Sequence, residues 1–254
     1  MMNRQKSSDL QTPSDLKRFI KNLQNSQLNK STEEYLSHHA INKLFSQGDS
    51  DNDIIYEKQL NALKNICFSE FYIIQSDKES FKQYSTRVRE NLREDKKFSS
   101  FINFFISGED HAFSLLSKLA EKLDISKKEY HQPDSKSQIY PAFFSVTANS
   151  SPILSLPLAV LINFPTWGKT CKNLRNAILS NQRFLEKSKI TKNDLDFLDF
   201  FGNEIENLEN MVLEVCVEIS GESLLEADEK HMIEMAIKNL QYGEIAFWDY
   251  LIGK

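Results

Sequence analysis

Glycine and proline are scarce in this sequence: the chain of 254 residues contains 7 glycines and 6 prolines. Together they fall well below the usage of about 12% that is average for proteins. β-Sandwiches and βαβ folds need many tight turns, which these two residue types supply. The scarcity therefore argues against both fold classes and predicts long helices with few breaks.

Cysteines and basic residues are too few or too dispersed for several classes of site. Cys67, Cys171 and Cys216 lie far apart and form no C-x-x-C motif, so neither a disulfide framework nor a zinc knuckle is expected. The formal net charge is −5 and no long basic run exists. This charge distribution argues against a nucleic-acid partner.

Long apolar runs are missing as well. The most apolar window, residues 153–164, contains Pro157 and is too short to span a bilayer. The N-terminal segment, MMNRQKSSDLQTPSDL, has no apolar stretch of the kind found in secretory signals. These absences predict a soluble, cytoplasmic protein without a membrane partner.

The chain does contain enough apolar side chains for a sizeable core, since hydrophobic residues make up 40% of it and 18 residues are Phe. The pattern predicts an all-α, single-domain helical bundle over residues 14–254, with a flexible tail over residues 1–13. No linker rich in Pro, Gly or Ser divides the chain. Long helices are expected over 54–91, 98–123, 140–148, 165–186, 193–219 and 227–251, after an interrupted helical stretch over 14–46, with loops over 47–53 and 131–137.

Two glutamates interrupt the apolar faces of predicted helices. Glu244 lies in the middle of a face with helical spacing, formed by Ile233, Ile237, Leu240, Phe247 and Leu251. Glu109 interrupts in the same way a face formed by Ile102, Phe105, Ala112, Leu116, Leu119 and Leu123. A buried, unpaired carboxylate is costly unless it takes up a proton, which raises its pKa. The two glutamates therefore point to a polar cavity inside the bundle.

Each glutamate also has an alternative interpretation, in which it lies at the edge of its face and reaches solvent or a lysine. A second apolar face avoids the Glu109 carboxylate and consists of Phe101, Phe105, Gly108, Ala112 and Leu115. The periodicity therefore does not force Glu109 to be buried. For Glu244, the aromatic neighbours Tyr242, Phe247 and Trp248 favour burial.

Motifs for metal binding and nucleophilic catalysis are few. A di-iron site in a helical bundle takes about six ligands, including two Glu-x-x-His motifs, whereas only Asp228 and His231 have a related spacing here. The chain has no G-x-S-x-G, P-loop or G-x-G-x-x-G motif. Cys67 and Cys216 lie among apolar residues and are interpreted as core thiols. The sequence therefore predicts no metal site and no cofactor.

Five segments resemble, in their order and spacing, motifs of the TenA family, which contains thiaminase II and its relatives. They are residues 71–77 (FYIIQSD), 139–150, 161–167 (LINFPTW), 197–202 (FLDFFG) and 241–250 (QYGEIAFWDY). The first is similar to an early Gln-Asp motif of the family. The last resembles its closing helix, where a Glu precedes Phe-Trp by three residues. The resemblance extends over roughly residues 68–251.

The resemblance implies a haem-oxygenase-like helical fold, a homo-oligomer and a central pocket for a small aromatic ring. Family members hydrolyse thiamin or amino- and formylamino-pyrimidines in vitamin B1 salvage, and the wider superfamily includes cofactor-free and di-metal oxidases. By position, Glu244 would bind the pyrimidine and shuttle protons, while Tyr140 would hydrogen-bond the substrate or a catalytic water. The candidate substrate-binding residues are Asp77, Glu109, Thr166, Trp167, Phe201, Phe247 and Trp248.

Three of the matching positions depart from the family pattern. Thr166 stands at the position of the family's nucleophilic Cys, and Phe201 at the position of a second active-site Tyr. The early Asp falls on Ser76 or, with a shift of one residue, on Asp77. Since Thr without a neighbouring base is a poor nucleophile, attack by a thiolate or its substitute is not expected here.

These observations predict a TenA-like protein that binds a small pyrimidine-type metabolite. The specific hypothesis is an aminopyrimidine aminohydrolase, which breaks a C–N bond with water, Glu244 and Tyr140 in place of the usual Cys. One alternative is a non-catalytic ligand-binding or interaction protein of the same fold. Another is a metal-dependent oxidase, which the sequence disfavours because Phe200, Glu204 and Asn207 stand where the di-iron branch has its His and Asp ligands.

Overall fold

The computed structural model describes residues 12–46, 53–90, 92, 95–126, 136–220 and 225–253. All regular secondary structure within these ranges is helical, which confirms the predicted all-α class. Most of the predicted tail, and most of the loops predicted over 47–53 and 131–137, lie outside the described residues.

The described ranges contain eleven α-helices. They are α1 (Thr12–Gln24), α2 (Gln27–Ser37), α3 (Ala40–Ser46), α4 (Asp53–Arg89), α5 (Lys96–Lys122), α6 (Ile139–Asn149), α7 (Ser155–Ser180), α8 (Gln182–Ser188), α9 (Asp196–Gly202), α10 (Leu208–Ser220) and α11 (Ala227–Leu251). Short 3-10 turns, Lys136–Gln138 and Lys192–Leu195, precede α6 and α9. None of the described helices is both long and apolar enough to cross a membrane.

Helix α7 continues through Pro165, although the sequence predicted that a new helix starts there. Proline removes a backbone donor and crowds the carbonyl four residues earlier, which costs a helix interior about 3 kcal/mol. The helix survives because it is buried on both sides of the proline, from Ser155 to Asn163 before it and at Cys171 and Leu174 after it. Tertiary packing therefore outweighs the local preference.

The helix predicted over 193–219 is in fact broken between α9 and α10. Asn203 follows the end of α9, and its side-chain amide donates to the carbonyl oxygen of Asp199 at 2.9 Å. Asn207 adopts a left-handed φ of 58° just before α10 begins. Asn tolerates this region better than most residues. The break therefore has a local cause that apolar spacing alone does not reveal.

Two hydrophobic clusters make up the core, and the four longest helices pass through both. One end of each of α4, α5, α7 and α11 packs in the first cluster, and the other end packs in the second. The polar residues Asp77, Glu109, Asn163 and Glu244 lie where these helices leave one cluster and enter the other. Tyr140 on α6 packs against both clusters. The fold therefore brings polar groups from several helices to one internal boundary.

Two glycines allow close contacts at this boundary. A Cβ atom on Gly243 would lie 2.8 Å from the Cα atom of Tyr140, and one on Gly168 would lie 2.5 Å from the carbonyl oxygen of Phe201. Both distances are shorter than real Cβ atoms show, so each contact requires a residue without a side chain. The first contact brings Tyr140 against the turn of α11 that carries Glu244.

Candidate active site

A small cavity of about 30 Å³ lies at the boundary between the two clusters. Its lining comes from α4 (Glu70, Ile73, Asp77), α5 (Glu109), α6 (Tyr140), α7 (Asn163, Phe164, Trp167), α9 (Phe201) and α11 (Glu244, Phe247). This volume is enough for a water molecule and is too small for a metabolite. Six helices therefore contribute to one confined space that has both polar and aromatic walls.

Four carboxyl groups line the cavity, and all four are nearly inaccessible to solvent. The exposed fractions are 2% for Glu70, 4% for Asp77, 6% for Glu109 and 1% for Glu244. The burial that the aromatic neighbours of Glu244 favoured is therefore confirmed. For Glu109, where the periodicity left two interpretations, the structure shows the buried one. Because burial removes the water that would solvate the ionised form, the pKa of each carboxyl group is raised.

Glu70, Asp77 and Glu109 form a group that we call the acid trio. Burial raises the pKa of Glu70 and of Asp77 well above the ordinary value, and the charge of Glu109 raises both further. Burial also raises the pKa of Glu109 to about 8, although Lys78 opposes the rise. The Lys78 ammonium is itself paired with the carboxylate of Asp110. Burial therefore favours the protonated form of all three carboxyl groups.

Glu244 lies in the same cavity but in different electrostatic surroundings. Burial raises its pKa to about 8, and the nearby indole N–H of Trp248 acts in the opposite direction. Its Oε1 atom is buried and has no hydrogen-bond partner among the described residues. A carboxylic acid with a pKa near neutrality can both give and take a proton, as general acid–base catalysis requires.

The charges of the acid trio and of Glu244 both affect the pKa of the Tyr140 phenol. It is partly buried, and its ring lies 6.0 Å from the ring of Phe144, centroid to centroid. Burial raises the pKa of its phenol, and the charges of the four cavity carboxyl groups raise it further. The hydroxyl therefore stays protonated at physiological pH and can donate a hydrogen bond.

Aromatic side chains form the other side of the cavity. The Trp167 ring lies 5.3 Å from the Phe247 ring and 6.0 Å from the Phe201 ring, centroid to centroid. Trp167 and Phe201 are partly exposed, whereas Phe247 is buried. The aromatic wall therefore extends from the buried interior towards the surface.

Two of the predicted binding residues lie outside the lining. Trp248 is buried and packs against Trp167 with 5.0 Å between ring centroids. Thr166 is buried on α7, where its carbonyl oxygen accepts a hydrogen bond from the Thr170 hydroxyl at 2.9 Å. Cys171, slightly further along α7, is also buried, and burial raises the pKa of its thiol. Its surroundings therefore disfavour the thiolate that nucleophilic attack requires.

Glu70 and Asn163 also line the cavity, and neither was predicted from the sequence. Glu70 continues a buried face of α4 between Ile66 and Ile73, at the helical spacing that revealed Glu244. Asn163 is an amide directly after the buried apolar run 156–162. In both cases the signal was a polar residue that interrupts an apolar pattern.

Potential metal ligands do not come together in the part of the chain that the structure describes. No three His, Cys, Asp or Glu side chains are arranged there to hold a metal ion. His111, whose place relative to the pocket the sequence left open, is exposed on α5 and packs against Phe200 with 5.0 Å between ring centroids.

The arrangement of the helices matches solved structures, although no protein-family model and no curated protein matches the chain. A TenA homologue from Pseudomonas syringae pv. tomato aligns with a TM-score of 0.65 and 10% identity, over 94% of this chain and 92% of that chain. A TenA homologue from Pyrococcus furiosus aligns with a TM-score of 0.61 and 14% identity, over 93% of this chain and 98% of that chain. The chain therefore has the TenA-like, haem-oxygenase-like helical fold that the motifs predicted.

Proposed function

We propose that the cavity binds a small pyrimidine-type metabolite and that the chain hydrolyses an exocyclic C–N bond of this ligand, as an aminopyrimidine aminohydrolase of thiamin salvage does. The observation that carries the proposal is the buried Glu244 carboxyl, with a pKa of about 8, in a cavity with an aromatic wall. The TenA-like fold supports the same assignment.

Water replaces the exocyclic nitrogen in this reaction. The water oxygen forms a C–O bond to the carbon that carries the nitrogen, and the C–N bond breaks. Protonated Glu244 gives its proton to the leaving nitrogen, and its carboxylate then takes a proton from the attacking water. Tyr140 donates a hydrogen bond to the ring or to the water. The products are an alcohol and ammonia, and Glu244 returns to its protonated form.

A pyrimidine ring is larger than a cavity of about 30 Å³, so its binding requires side chains to move. Trp167 and Phe201, the partly exposed pair, are the side chains best placed to turn outward. A ring that enters between them stacks against the indole and directs its polar edge towards Glu244 and Tyr140. The proposal therefore includes an opening of the aromatic wall.

Turnover measured by mass spectrometry tests the proposal directly. The purified protein would be incubated with thiamin, an aminopyrimidine and a formylaminopyrimidine, beside the Glu244→Gln variant. Glutamine preserves the shape of the side chain but cannot exchange a proton. We expect the hydroxylated product with the native protein and none with the variant. Turnover that survives in Glu244→Gln would contradict the assigned role.

A non-catalytic binding protein of the same fold is the second candidate. It is favoured by Thr166 and Phe201, which replace the reactive groups of the family pattern, and by the small volume of the cavity. It predicts that a pyrimidine quenches or shifts the fluorescence of Trp167 while no product forms. Both candidate functions therefore predict that the ligand binds, and only the first predicts that it is hydrolysed.

We also propose that the chain forms a homo-oligomer in the cytoplasm, as the resemblance implied. Exposed apolar side chains on α6 and α11 offer a surface for self-association, among them Ile139, Val146, Met235 and Tyr242. Size-exclusion chromatography with light scattering should then give a multiple of the monomer mass. A monomer at all concentrations would remove this part of the proposal.

A further inference from the structure

Asn163 brings a buried amide to the cavity, and the described residues leave this amide without a partner. The residue is 4% exposed, and both polar atoms of its side chain, Oδ1 and Nδ2, are buried without a hydrogen-bond partner in the described part of the chain. Most buried polar groups are hydrogen-bonded to protein or to water, because an unpaired one is unfavourable. An apolar side chain of the same shape would avoid this cost. The amide therefore points to a small ligand that both donates and accepts hydrogen bonds.

Glu244 presents a second unpaired oxygen atom to the same cavity from a neighbouring helix. Its Oε1 atom is buried and has no hydrogen-bond partner among the described residues. Helices α7 and α11, which carry Asn163 and Glu244, pack directly against each other. The cavity that both residues line has a volume of about 30 Å³. A polar cavity of this size holds a water molecule, which needs about two to four polar partners.

We propose that Asn163, together with Glu244, binds the water molecule that attacks the ligand. The inference rests on the proposed function for the reaction and adds the residue that holds the nucleophile. The water donates one O–H to the Oδ1 atom of Asn163 and the other to the Glu244 carboxylate. A lone pair of its oxygen then forms the C–O bond as the C–N bond breaks. Glu244 takes one proton, and the other stays on the new hydroxyl group.

The position of Asn163 on α7 places this water beside the bound ring. Asn163 and Trp167 are four residues apart, so their side chains lie on the same face of the helix. Both residues line the cavity. In the proposed function the ring stacks against the indole of Trp167, so it lies about one turn of α7 from the amide.

An amide suits this task because it does not titrate. Its Oδ1 atom accepts a hydrogen bond at every pH, whereas a carboxyl group accepts or donates according to its protonation. Burial favours the protonated forms of the acid trio. The amide of Asn163 therefore holds the water in one orientation while Glu244 releases and regains its proton. The Nδ2 group remains available to donate to a ring nitrogen of the ligand.

Asn163→Leu tests this role, because leucine keeps the approximate shape of the side chain and removes both polar atoms. The amide has no partner among the described residues, so its removal should leave the fold stable, which urea unfolding checks. We expect kcat for the pyrimidine substrate found by mass spectrometry to fall about 100-fold. KM should rise less than about tenfold, because only one neutral hydrogen bond to the ring is lost. Asn176→Leu, at an exposed position of the same helix α7, is the matched control and should change neither.

A high-resolution crystal structure of the native protein tests the water site without any turnover. It should show a water molecule within about 2.7–3.2 Å of the Asn163 amide, and the structure of Asn163→Leu should not. A native structure without this water would overturn the inference even where hydrolysis is measured. So would an unchanged kcat in Asn163→Leu, or a loss confined to KM. If the native protein hydrolyses no pyrimidine, the proposed function is refuted together with the attack by this water, and the crystal structure alone decides whether Asn163 binds water.

Discussion

Replacement of Glu244 by Gln should make the protein more stable at pH 8 and change its stability little under acidic conditions. Burial raises the pKa of Glu244 from its ordinary value of 4.5 to about 8 in the folded protein. Below pH 4.5 the carboxyl is protonated in both the folded and the unfolded chain, so it imposes no penalty on folding. As the pH rises, the unfolded chain releases this proton first, and the folded state loses stability relative to it.

The expected size follows from the two pKa values. Each pH unit between them corresponds to about 1.4 kcal/mol, so the whole interval corresponds to about 5 kcal/mol as an upper limit. The stability gain of Glu244→Gln should therefore grow from about pH 5 to pH 8 and level off above that. The charge of Glu244 raises the pKa of Tyr140 and of Cys171, so both groups stay protonated over this range. Their titration should therefore not affect the difference in stability between the native protein and Glu244→Gln.

Urea unfolding followed by far-ultraviolet circular dichroism at several pH values measures this difference. Glu234→Gln is the matched control on the same helix, because Glu234 is exposed and water solvates its carboxylate in both states. Its replacement should leave the pH dependence of the free energy of unfolding unchanged. A difference between native protein and Glu244→Gln that stays flat from pH 5 to pH 8 would refute the reasoning from burial.

Four further predictions concern the site and its walls. If hydrolysis is measured, kcat/KM should fall about tenfold per pH unit above pH 8, because Glu244 then loses the proton that it must donate. Gly243→Ala should destabilise the fold by about 1–3 kcal/mol in thermal or urea unfolding, since its Cβ meets backbone; Gly108→Ala, whose nearest neighbour would be 3.9 Å away, should be neutral or stabilising. Phe201→Ala should tighten pyrimidine binding in a fluorescence titration by opening the aromatic wall. Cys171→Ala should leave kcat unchanged, because the buried thiol is protonated; a large loss would restore a nucleophilic role for it.

The helical class and the burial of Glu244 could be predicted from the sequence because both depend on local spacing. Scarce glycine and proline predicted long helices, and a carboxylate among Ile237, Leu240 and Phe247 predicted a polar cavity. The same reasoning would have found Glu70, which interrupts the buried face of α4 in the same way. Periodicity thus identifies the inward face of a helix well.

Other features depend on which helices meet, and local spacing carries no such information. Pro165 was wrongly placed at a helix start because the packing that holds α7 together on both sides is tertiary. The position of Tyr140 depends on the contact of its backbone with Gly243, about a hundred residues later in the chain. The break between α9 and α10 involves the left-handed backbone conformation of Asn207, and the apolar pattern of the sequence continues across this break.

The four buried carboxyl groups also change the net charge of the folded protein. The formal net charge of −5 counts every Asp and Glu as ionised. Because burial favours the protonated forms of Glu70, Asp77, Glu109 and Glu244, the net charge of the folded protein at neutral pH shifts from −5 towards −1. The folded protein should therefore migrate more slowly in a native gel at pH 7 than a charge of −5 predicts, and its copies should repel one another less than that charge implies. Unfolding at this pH releases protons and restores the electrostatic repulsion between chains.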